Sequence, residues 1–403
     1  MAAIRLHKIV TSKNIVILLL CMCAVSAFLG GPIFYGLLVI YSLYNVLITK
    51  GERSHHIFTV FFLIIVLAST LINLNQTEAI FKPEQRVIML VFVLIAFSPI
   101  ITNRYIYRYR KYIFISLLVG MSITSLISSI MGLMGKGYID QYLVGWYDFP
   151  NSLGYAQGLT IIALSSITTI VPQKVKYLCI IGILITIIAI PKTGTRTAFY
   201  SIPIVLLGYI YLKSTNTTHL LKLLFLLVIS TFIFLTFVKL DTAIINKKNE
   251  LQELQGSSRD ALWKARIKEF KQSPIIGIGT FRADLRYSIV NKNGNVEAGN
   301  SFLMMLSMNG LLGFINFCLL YLSILIPFFK YIIKKRKYGL SHFEVMLSLV
   351  IIYNFISMQQ MGLLLNIGLY FTGINWLTLA LAYKFRQFNF RKNRYNGKIA
   401  LHR

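Results

Sequence analysis

Long apolar stretches recur along almost the whole chain, each separated from the next by a polar segment. A helix needs roughly 17–25 apolar residues to cross about 30 Å of hydrocarbon, so the sequence predicts about twelve membrane spans. Because 56% of the residues are hydrophobic and only 13% are charged, a soluble protein is excluded. The predicted fold class is therefore all-α, a polytopic membrane protein. The spans are expected near 14–30, 31–48, 56–74, 86–102, 113–135, 151–171, 177–191, 196–212, 219–238, 301–329, 343–361 and 366–383.

One long polar segment interrupts this pattern between the ninth and tenth predicted spans. It covers residues 239–300 and holds more than half of the chain's 13 acidic residues. The predicted organisation is nine spans in residues 1–238, one large outside loop carrying short helices in 239–300, and three spans with a basic tail in 301–403. A multispan protein with a single loop of this kind is expected to do its chemistry there.

The distribution of charge predicts the topology. The net charge of +28 arises mainly from Lys and Arg in short loops on one side of the predicted membrane, where Glu52 and Glu344 are the acidic residues. This positive-inside bias predicts that both termini are cytoplasmic. The basic and aromatic residues of NRYIYRYRKY (103–112) are expected to anchor the chain at the interface. Nucleic acid is therefore not expected as a partner.

No metal site is predicted. The 4 cysteines all lie within predicted spans, and none has the spacing of a metal ligand relative to the 6 scattered histidines.

The outside loop after the fifth predicted span, GKGYIDQYLVGWYDFPNSLGYAQ, places aromatic rings beside carboxylates. Trp146, Tyr147 and Asp148 suit sugar binding, because rings stack on sugar faces while a carboxylate accepts hydrogen bonds from hydroxyls. An aromatic belt at the membrane interface explains the same pattern. The residues alone leave both interpretations open.

An arginine is expected at the outer membrane boundary between the seventh and eighth spans. Arg196 follows Gly194 in the segment PKTGTRTAFYS, where the glycine allows the backbone to bend. An arginine at the edge of the hydrocarbon either extends its charged group to the interface or holds an anion.

The large loop contains the segment SSRDALWKARIKEFKQSPIIGIGTF (257–281). Ser257 and Asp260 fit a capping box that opens a helix, and Ser273-Pro274 is expected to end it. Gly277 and Gly279 predict a turn.

Arg259 and Arg266 are expected on one face of this helix, together with Trp263, Ile267 and Phe270. Such a face should rest on the membrane or cover a lipid-linked substrate. Glu297 and Asn300 follow where the tenth span begins, on the same side of the membrane as the arginines.

Four of these segments resemble the bacterial O-antigen polymerase/ligase superfamily. The resemblance covers roughly residues 150–380, and the segments occur there in the family's order. They are FPNSLGYAQ, KTGTR, SSRDALWKARIKEFKQSPIIGIG and NSFLMMLSMNGLLGF. The resemblance implies a GT-C-type glycosyltransferase in the bacterial inner membrane. Such an enzyme uses undecaprenyl-pyrophosphate-linked oligosaccharide at the periplasmic face without metal or nucleotide cofactor. A chain-length regulator and a flippase are the implied partners.

The resemblance also implies roles for individual residues. Arg196 and Arg259 correspond to two arginines that are central in the family, and guanidinium groups stabilise the charge that develops on a diphosphate leaving group. Arg266 is expected to assist them. Asn300, Trp146, Tyr147 and Asp148 are the other expected substrate-binding residues. Glu297 is the expected general base, with a rim carboxylate as its alternative role.

The ligase branch of the superfamily carries a histidine about eleven residues before the glycine that corresponds to Gly310. This sequence has Gly299 beside Asn300 there, and no histidine lies between Lys239 and Gly339. The sequence therefore favours a polymerase of oligosaccharide repeat units over a ligase that transfers glycan to lipid A core. A flippase or transporter with twelve spans is the alternative from another class. Such a protein should show internal repeats or charged residues within its spans, whereas this sequence shows no repeat and few such charges.

Overall fold

The computed structural model describes residues 30–47, 53–74, 83–147, 149–168, 170–214, 221, 225, 258–284, 286–287, 300–359, 361–363, 365 and 371–383. Within them the structure is mostly helical, as predicted. The helices are α1 (Gly30–Leu47), α2 (Ile57–Ile72), α3 (Pro83–Phe97), α4 (Arg104–Leu133), α5 (Pro150–Ile167), α6 (Gln173–Ala189), α7 (Arg196–Lys213), α8 (Ser258–Gln272), α9 (Ser301–Arg336) and α10 (His342–Ser357). Residues 371–383 are also helical.

Two further elements lie between the helices. A short antiparallel hairpin of β1 (Tyr138–Ile139) and β2 (Tyr142–Leu143) follows α4, and a 3₁₀ turn (Ile190–Thr193) joins α6 to α7. The hairpin is a small addition to the predicted all-α fold. The predicted span near 14–30 lies outside the described residues except for Gly30, and the span near 219–238 lies outside them except for Leu221 and Phe225.

Several described helices have the character of membrane spans. Three are long and apolar enough to cross a membrane: Arg104–Leu133, Gln173–Thr193 and Ser301–Arg336. Shorter apolar helices cover Leu38–Leu47, Ile57–Ile72, Thr197–Lys213 and His342–Ser357. These helices support a multi-pass membrane protein, whereas the number of twelve spans stays a prediction.

The described residues divide into two compact units, each assembled from separate stretches of chain. Unit 1 takes its residues from Met1–Leu37, Ile113–Ser257 and Lys335–Ser357. Unit 2 takes its residues from Leu38–Tyr112, Ser258–Lys334 and Met358–Arg403. The three segments predicted from the membrane topology, 1–238, 239–300 and 301–403, are a different kind of division, and they stay a prediction.

In unit 1, α5 packs against α6, α7 and α10. Tyr155 of α5 stacks on Tyr353 of α10, with ring centroids 5.3 Å apart. The Tyr155 hydroxyl donates a hydrogen bond to Asn354 Oδ1 at 2.6 Å, and the Tyr353 hydroxyl donates to the Tyr155 carbonyl at 3.2 Å. Polar groups buried between apolar helices thus find partners on the neighbouring helix, as a membrane interior requires.

In unit 2, α2 packs against α3, and Arg110 of α4 is buried against the end of α3. Its guanidinium donates hydrogen bonds to the carbonyls of Ala96 at 2.9 Å and Ile95 at 3.2 Å. Because the last carbonyls of a helix have no partner within the helix, a cation placed there stabilises the helix end.

Candidate functional site

In unit 1, two of the motifs that carry the family resemblance are in contact. Thr195 Oγ1 donates a hydrogen bond to the Pro150 carbonyl at 3.1 Å, and the Thr195 side chain lies against Gly154. The contact joins FPNSLGYAQ to KTGTR at the first turns of α5 and α7. Arg196 begins α7 at this contact, although its side chain lies outside what the structure describes.

The loop between α4 and α5 is fixed near this contact by Tyr147. Its ring packs against an apolar cluster formed by Leu143, Leu153 and Ala189. The Tyr147 hydroxyl lies 2.7 Å from Thr124 Oγ1, and burial raises the pKa of this phenol, which keeps it protonated. Tyr147 therefore orients the loop.

Trp146 has different surroundings from its neighbour. Its backbone N–H donates to Ser128 Oγ at 3.0 Å, while 37% of the residue stays exposed. Trp146 is therefore more exposed than Tyr147, which is half-buried. Asp148 lies outside the described residues, and the sugar-binding role of all three residues stays a prediction.

In unit 2, α9 is broken at Gly310, whose φ of 62° and ψ of −166° are not helical. The segment that follows α8 fills the break. Four backbone hydrogen bonds join the two: Ile278 N to Ser307 O (3.0 Å), Gly279 N to Met308 O (3.1 Å), Leu311 N to Pro274 O (2.8 Å) and Leu312 N to Ile275 O (3.2 Å). The loop thus binds carbonyls freed before the break and amides freed after it, as irregular backbone at membrane depth requires.

Two glycines make this close approach possible. A Cβ at Gly277 would lie 2.3 Å from the carbonyl carbon of Met308, and a Cβ at Gly310 would lie 2.3 Å from the carbonyl of Ile275. Both residues also have positive φ, which L-residues with a side chain adopt at a cost. The turn predicted at Gly277 and Gly279 is therefore confirmed, but sequence analysis missed that it inserts into the next span.

Ser69 of α2 and Asn73, the residue that follows this helix, hold the insertion in place. Ser69 Oγ donates to the Met308 carbonyl at 2.8 Å, and Asn73 Nδ2 donates to the Gly277 carbonyl at 3.3 Å. Thr280 Oγ1 donates to Asn309 Oδ1 at 2.7 Å, so the loop and the broken helix are also joined directly by side chains.

Arg266 lies on the buried side of α8. It is 5% exposed and forms an ion pair with the fully buried Glu269 at 2.8 Å. Glu269 Oε1 accepts a hydrogen bond from the Asp284 backbone N–H at 2.9 Å, so the pair fastens α8 to the end of the following loop. Substrate binding by Arg266 stays a prediction.

The predicted face of α8 is divided in the structure. Leu262 and Ala265 are buried on the same side as Arg266, whereas Trp263 is 37% exposed and Ile267 is 42% exposed. Arg259 lies in the first turn of this helix, with its side chain outside what the structure describes, and Ser257 lies beyond it.

Asn300 caps the helix that carries the break. Its Oδ1 accepts hydrogen bonds from the backbone N–H groups of Phe302 at 2.8 Å and Leu303 at 3.2 Å. Asn followed by an apolar run is a typical N-cap signal, which the sequence analysis did not use. Its substrate-binding role stays a prediction, and Glu297 lies outside the described residues.

Arg282 is a buried residue that the sequence analysis did not single out. Its Nη2 donates to the Leu74 carbonyl at 3.1 Å and to Glu84 Oε1 at 3.2 Å. These contacts join the large loop to the segments that end α2 and begin α3, which the predicted topology places on the same side. No sequence signal pairs residues so far apart.

The described residues contain no group of three or more His, Cys, Asp or Glu side chains able to hold a metal ion. The first motif contact positions the start of α7, which carries Arg196. The second attaches the loop that follows α8, the helix that carries Arg259. A cation at the start of an apolar helix and another in the large loop suit an anionic, membrane-bound substrate.

Together, the apolar helices and the loops fixed at their ends define a multi-pass membrane protein. A family model described as O-antigen ligase matches residues 181–318, roughly a third of the chain. The match includes Arg196, Arg259 and the break at Gly310. It supports a place in the O-antigen polymerase/ligase superfamily, and with it an enzymatic function on lipid-linked glycans, without distinguishing the two branches. No curated protein matches the chain.

The buried ion pair of α8 gives a direct test of what fixes the loop. Replacing Glu269 by alanine leaves the Arg266 guanidinium without its carboxylate, so we expect a loss of about 3–5 kcal/mol in the free energy of unfolding. Thermal unfolding of the purified protein in detergent measures it. The double variant Arg266→Met/Glu269→Leu should recover part of the loss. Lys271→Ala, at an exposed position of the same helix, is the control. A wild-type unfolding profile for Glu269→Ala would contradict this role.

Proposed function

We propose that the chain is a polysaccharide polymerase with about twelve spans in the bacterial inner membrane, working at the periplasmic face. The growing glycan on its undecaprenyl pyrophosphate is transferred to the sugar end of an incoming lipid-linked repeat unit. The bond between the anomeric carbon and the diphosphate oxygen breaks, an acceptor hydroxyl forms the new glycosidic bond, and the carrier diphosphate leaves.

The observation that carries the proposal is the connection between the loop of α8 and the broken helix α9. The four backbone hydrogen bonds at Gly310 join the two longest motifs of the resemblance, so the helix that carries Arg259 in its first turn is attached to the span predicted to follow the large loop. A glycosyl transfer from a membrane-bound diphosphate needs such a rigid support, because rate depends on accurate positioning of the reacting groups.

In this proposal Arg196 and Arg259 bind the diphosphate and stabilise its developing charge, as a metal ion does elsewhere. Glu297 removes the proton of the acceptor hydroxyl. Trp146 and Asp148 contact the sugars, and Tyr147 holds their loop against Thr124. Arg266 supports the site through Glu269, and Asn300 sets the start of α9.

Two observations bear on the branch of the superfamily. The absence of histidine between Lys239 and Gly339 favours the polymerase. The matching family, described as O-antigen ligase, favours the second candidate, a ligase that transfers glycan to lipid A core. Nothing in the comparisons supports a flippase.

Glycan length in a strain that lacks the protein separates the two candidates. If the chain is a polymerase, the strain should carry single repeat units on its acceptor, and the wild-type gene should restore a ladder of lengths on a gel. Accumulation of long lipid-linked chains that never reach the core would instead identify a ligase. Normal ladders in the deleted strain would reject both.

A further inference from the structure

A cluster of cations in unit 1 has no role in the proposed transfer. It lies where α7 and α9 end and α10 begins, on the side predicted to be cytoplasmic. Lys213 ends α7, and Lys335 and Arg336 end α9. The ends are in contact, because Arg336 Nε donates a hydrogen bond to the Ser214 carbonyl at 3.1 Å.

The carboxylate of this cluster is already engaged. Glu344 is fully buried and accepts hydrogen bonds from Lys335 Nζ and from the Ser341 backbone N–H, each at 2.6 Å. The Ser341 side chain accepts one from the Glu344 N–H in return at 3.3 Å, which completes a capping box for α10. Glu344 thus neutralises Lys335 and caps a helix.

Lys213 and Arg336 are held by neutral groups. Lys213 Nζ lies 3.2 Å from the His342 ring, and the Arg336 guanidinium lies 3.9 Å above the centre of the Tyr211 ring. Within the described part of the chain, neither cation forms an ion pair with a carboxylate. Both side chains are partly buried. Because partial burial disfavours an uncompensated charge, an anion placed beside them is stabilised.

An exposed apolar row leads along α7 to these cations. Tyr200, Ile204 and Tyr211 are 58%, 46% and 38% exposed, and their spacings of four and seven residues place them on one side of the helix. The row ends at the ring beneath Arg336. A ligand that fits both features has a phosphate at one end and hydrocarbon chains at the other.

We propose that Lys213 and Arg336 bind the phosphate of an anionic phospholipid whose acyl chains lie along this row of α7. Basic pockets between spans on the cytoplasmic side are typical sites for such head groups. Attraction to helix C-termini explains cations at these ends, but it does not explain why the guanidinium of Arg336 stacks on the ring that ends an exposed apolar row. The bound lipid fastens the ends of α7, α9 and α10 together.

Thermal unfolding of the full chain in a neutral detergent, with and without phosphatidylglycerol, tests this site. The lipid should raise the unfolding temperature of the wild type. Its apparent affinity should fall about fivefold for Lys213→Gln or Arg336→Gln and roughly thirtyfold for both together. Lys213→Arg, which keeps the charge, should retain the affinity. The control Lys174→Gln removes an exposed lysine of the same unit and should change nothing.

Three results would overturn the proposal. One is equal stabilisation of the wild type and the double variant by phosphatidylglycerol. Another is an equal loss for Lys174→Gln, which would indicate diffuse surface charge. The third is equal protection by inorganic phosphate or by phosphatidylcholine, which would show that the anionic lipid is not the recognised ligand. The single variants at Lys213 carry the test if the double variant does not fold.

Discussion

Replacing Gly310 by alanine is expected to abolish both the folded protein and its product. The new Cβ would lie 2.3 Å from the Ile275 carbonyl, and the backbone offers no cheap way to move because four hydrogen bonds hold the loop there. The positive φ and extended ψ of Gly310 add about 1–3 kcal/mol for a residue with a side chain. We expect little of the variant in the membrane fraction of the cells, and no glycan ladder in the strain that carries it. Gly277→Ala should behave in the same way, because its Cβ meets Met308 at 2.3 Å.

The matched control for this experiment is Gly339→Ala. Gly339 follows α9 and also has a positive φ, of 87°, but no atom lies within 4 Å of an added Cβ. Its alanine variant therefore bears only the backbone cost of about 1–2 kcal/mol and should retain the ladder. If Gly310→Ala and Gly339→Ala unfold at the same temperature and make the same product, the insertion of the loop is not essential.

Loss of either proposed diphosphate ligand is expected to reduce transfer about 10²–10³-fold, the usual effect of removing one group that stabilises developing charge. Arg196→Ala and Arg259→Ala should show it in purified protein supplied with a lipid-diphosphate-linked repeat unit. Arg259→Lys should recover little, because an ammonium cannot form the paired hydrogen bonds of a guanidinium. These variants should unfold at the wild-type temperature.

The control for the arginines is Lys264→Ala, which removes an exposed cation from α8. It should transfer at the wild-type rate, since Lys264 has no part in the proposed binding of diphosphate. Wild-type rates in both arginine variants would mean that the two residues serve only as anchors at the membrane boundary. The proposed mechanism would then be wrong.

The sequence predicted several helices well, because apolar length is a property of local composition. The spans expected at 31–48 and 343–361 correspond to Gly30–Leu47 and His342–Ser357. The helix expected from residue 113 begins instead at Arg104. Charged and aromatic residues at an interface do not stop a helix, since their long side chains reach water while the backbone continues to form hydrogen bonds. A helix predicted from hydropathy alone is therefore too short at this end.

The candidate site was less predictable. The C-terminal end of α8 follows from Ser273-Pro274. Burial of Arg266, however, depends on Asp284 and Glu269, and helix spacing alone does not show which side of a helix is covered. The break at Gly310 lies inside an apolar run, and the sequence predicts one continuous span there. Its cause lies more than 30 residues earlier in sequence, in the loop that supplies the missing hydrogen bonds.

The attachment of α2 to this break has a consequence for biosynthesis. Ser69 and Asn73 find their acceptors 239 and 204 residues later in the chain. At a translation rate of about 5–20 residues per second, α2 waits roughly 10–50 s in the membrane before these partners are made. During that interval the Asn73 amide can still donate to the Ser69 carbonyl of its own segment, at 2.8 Å in the structure, while the Ser69 hydroxyl waits for its distant acceptor. The ribosome thus completes most of this protein before its second unit can close.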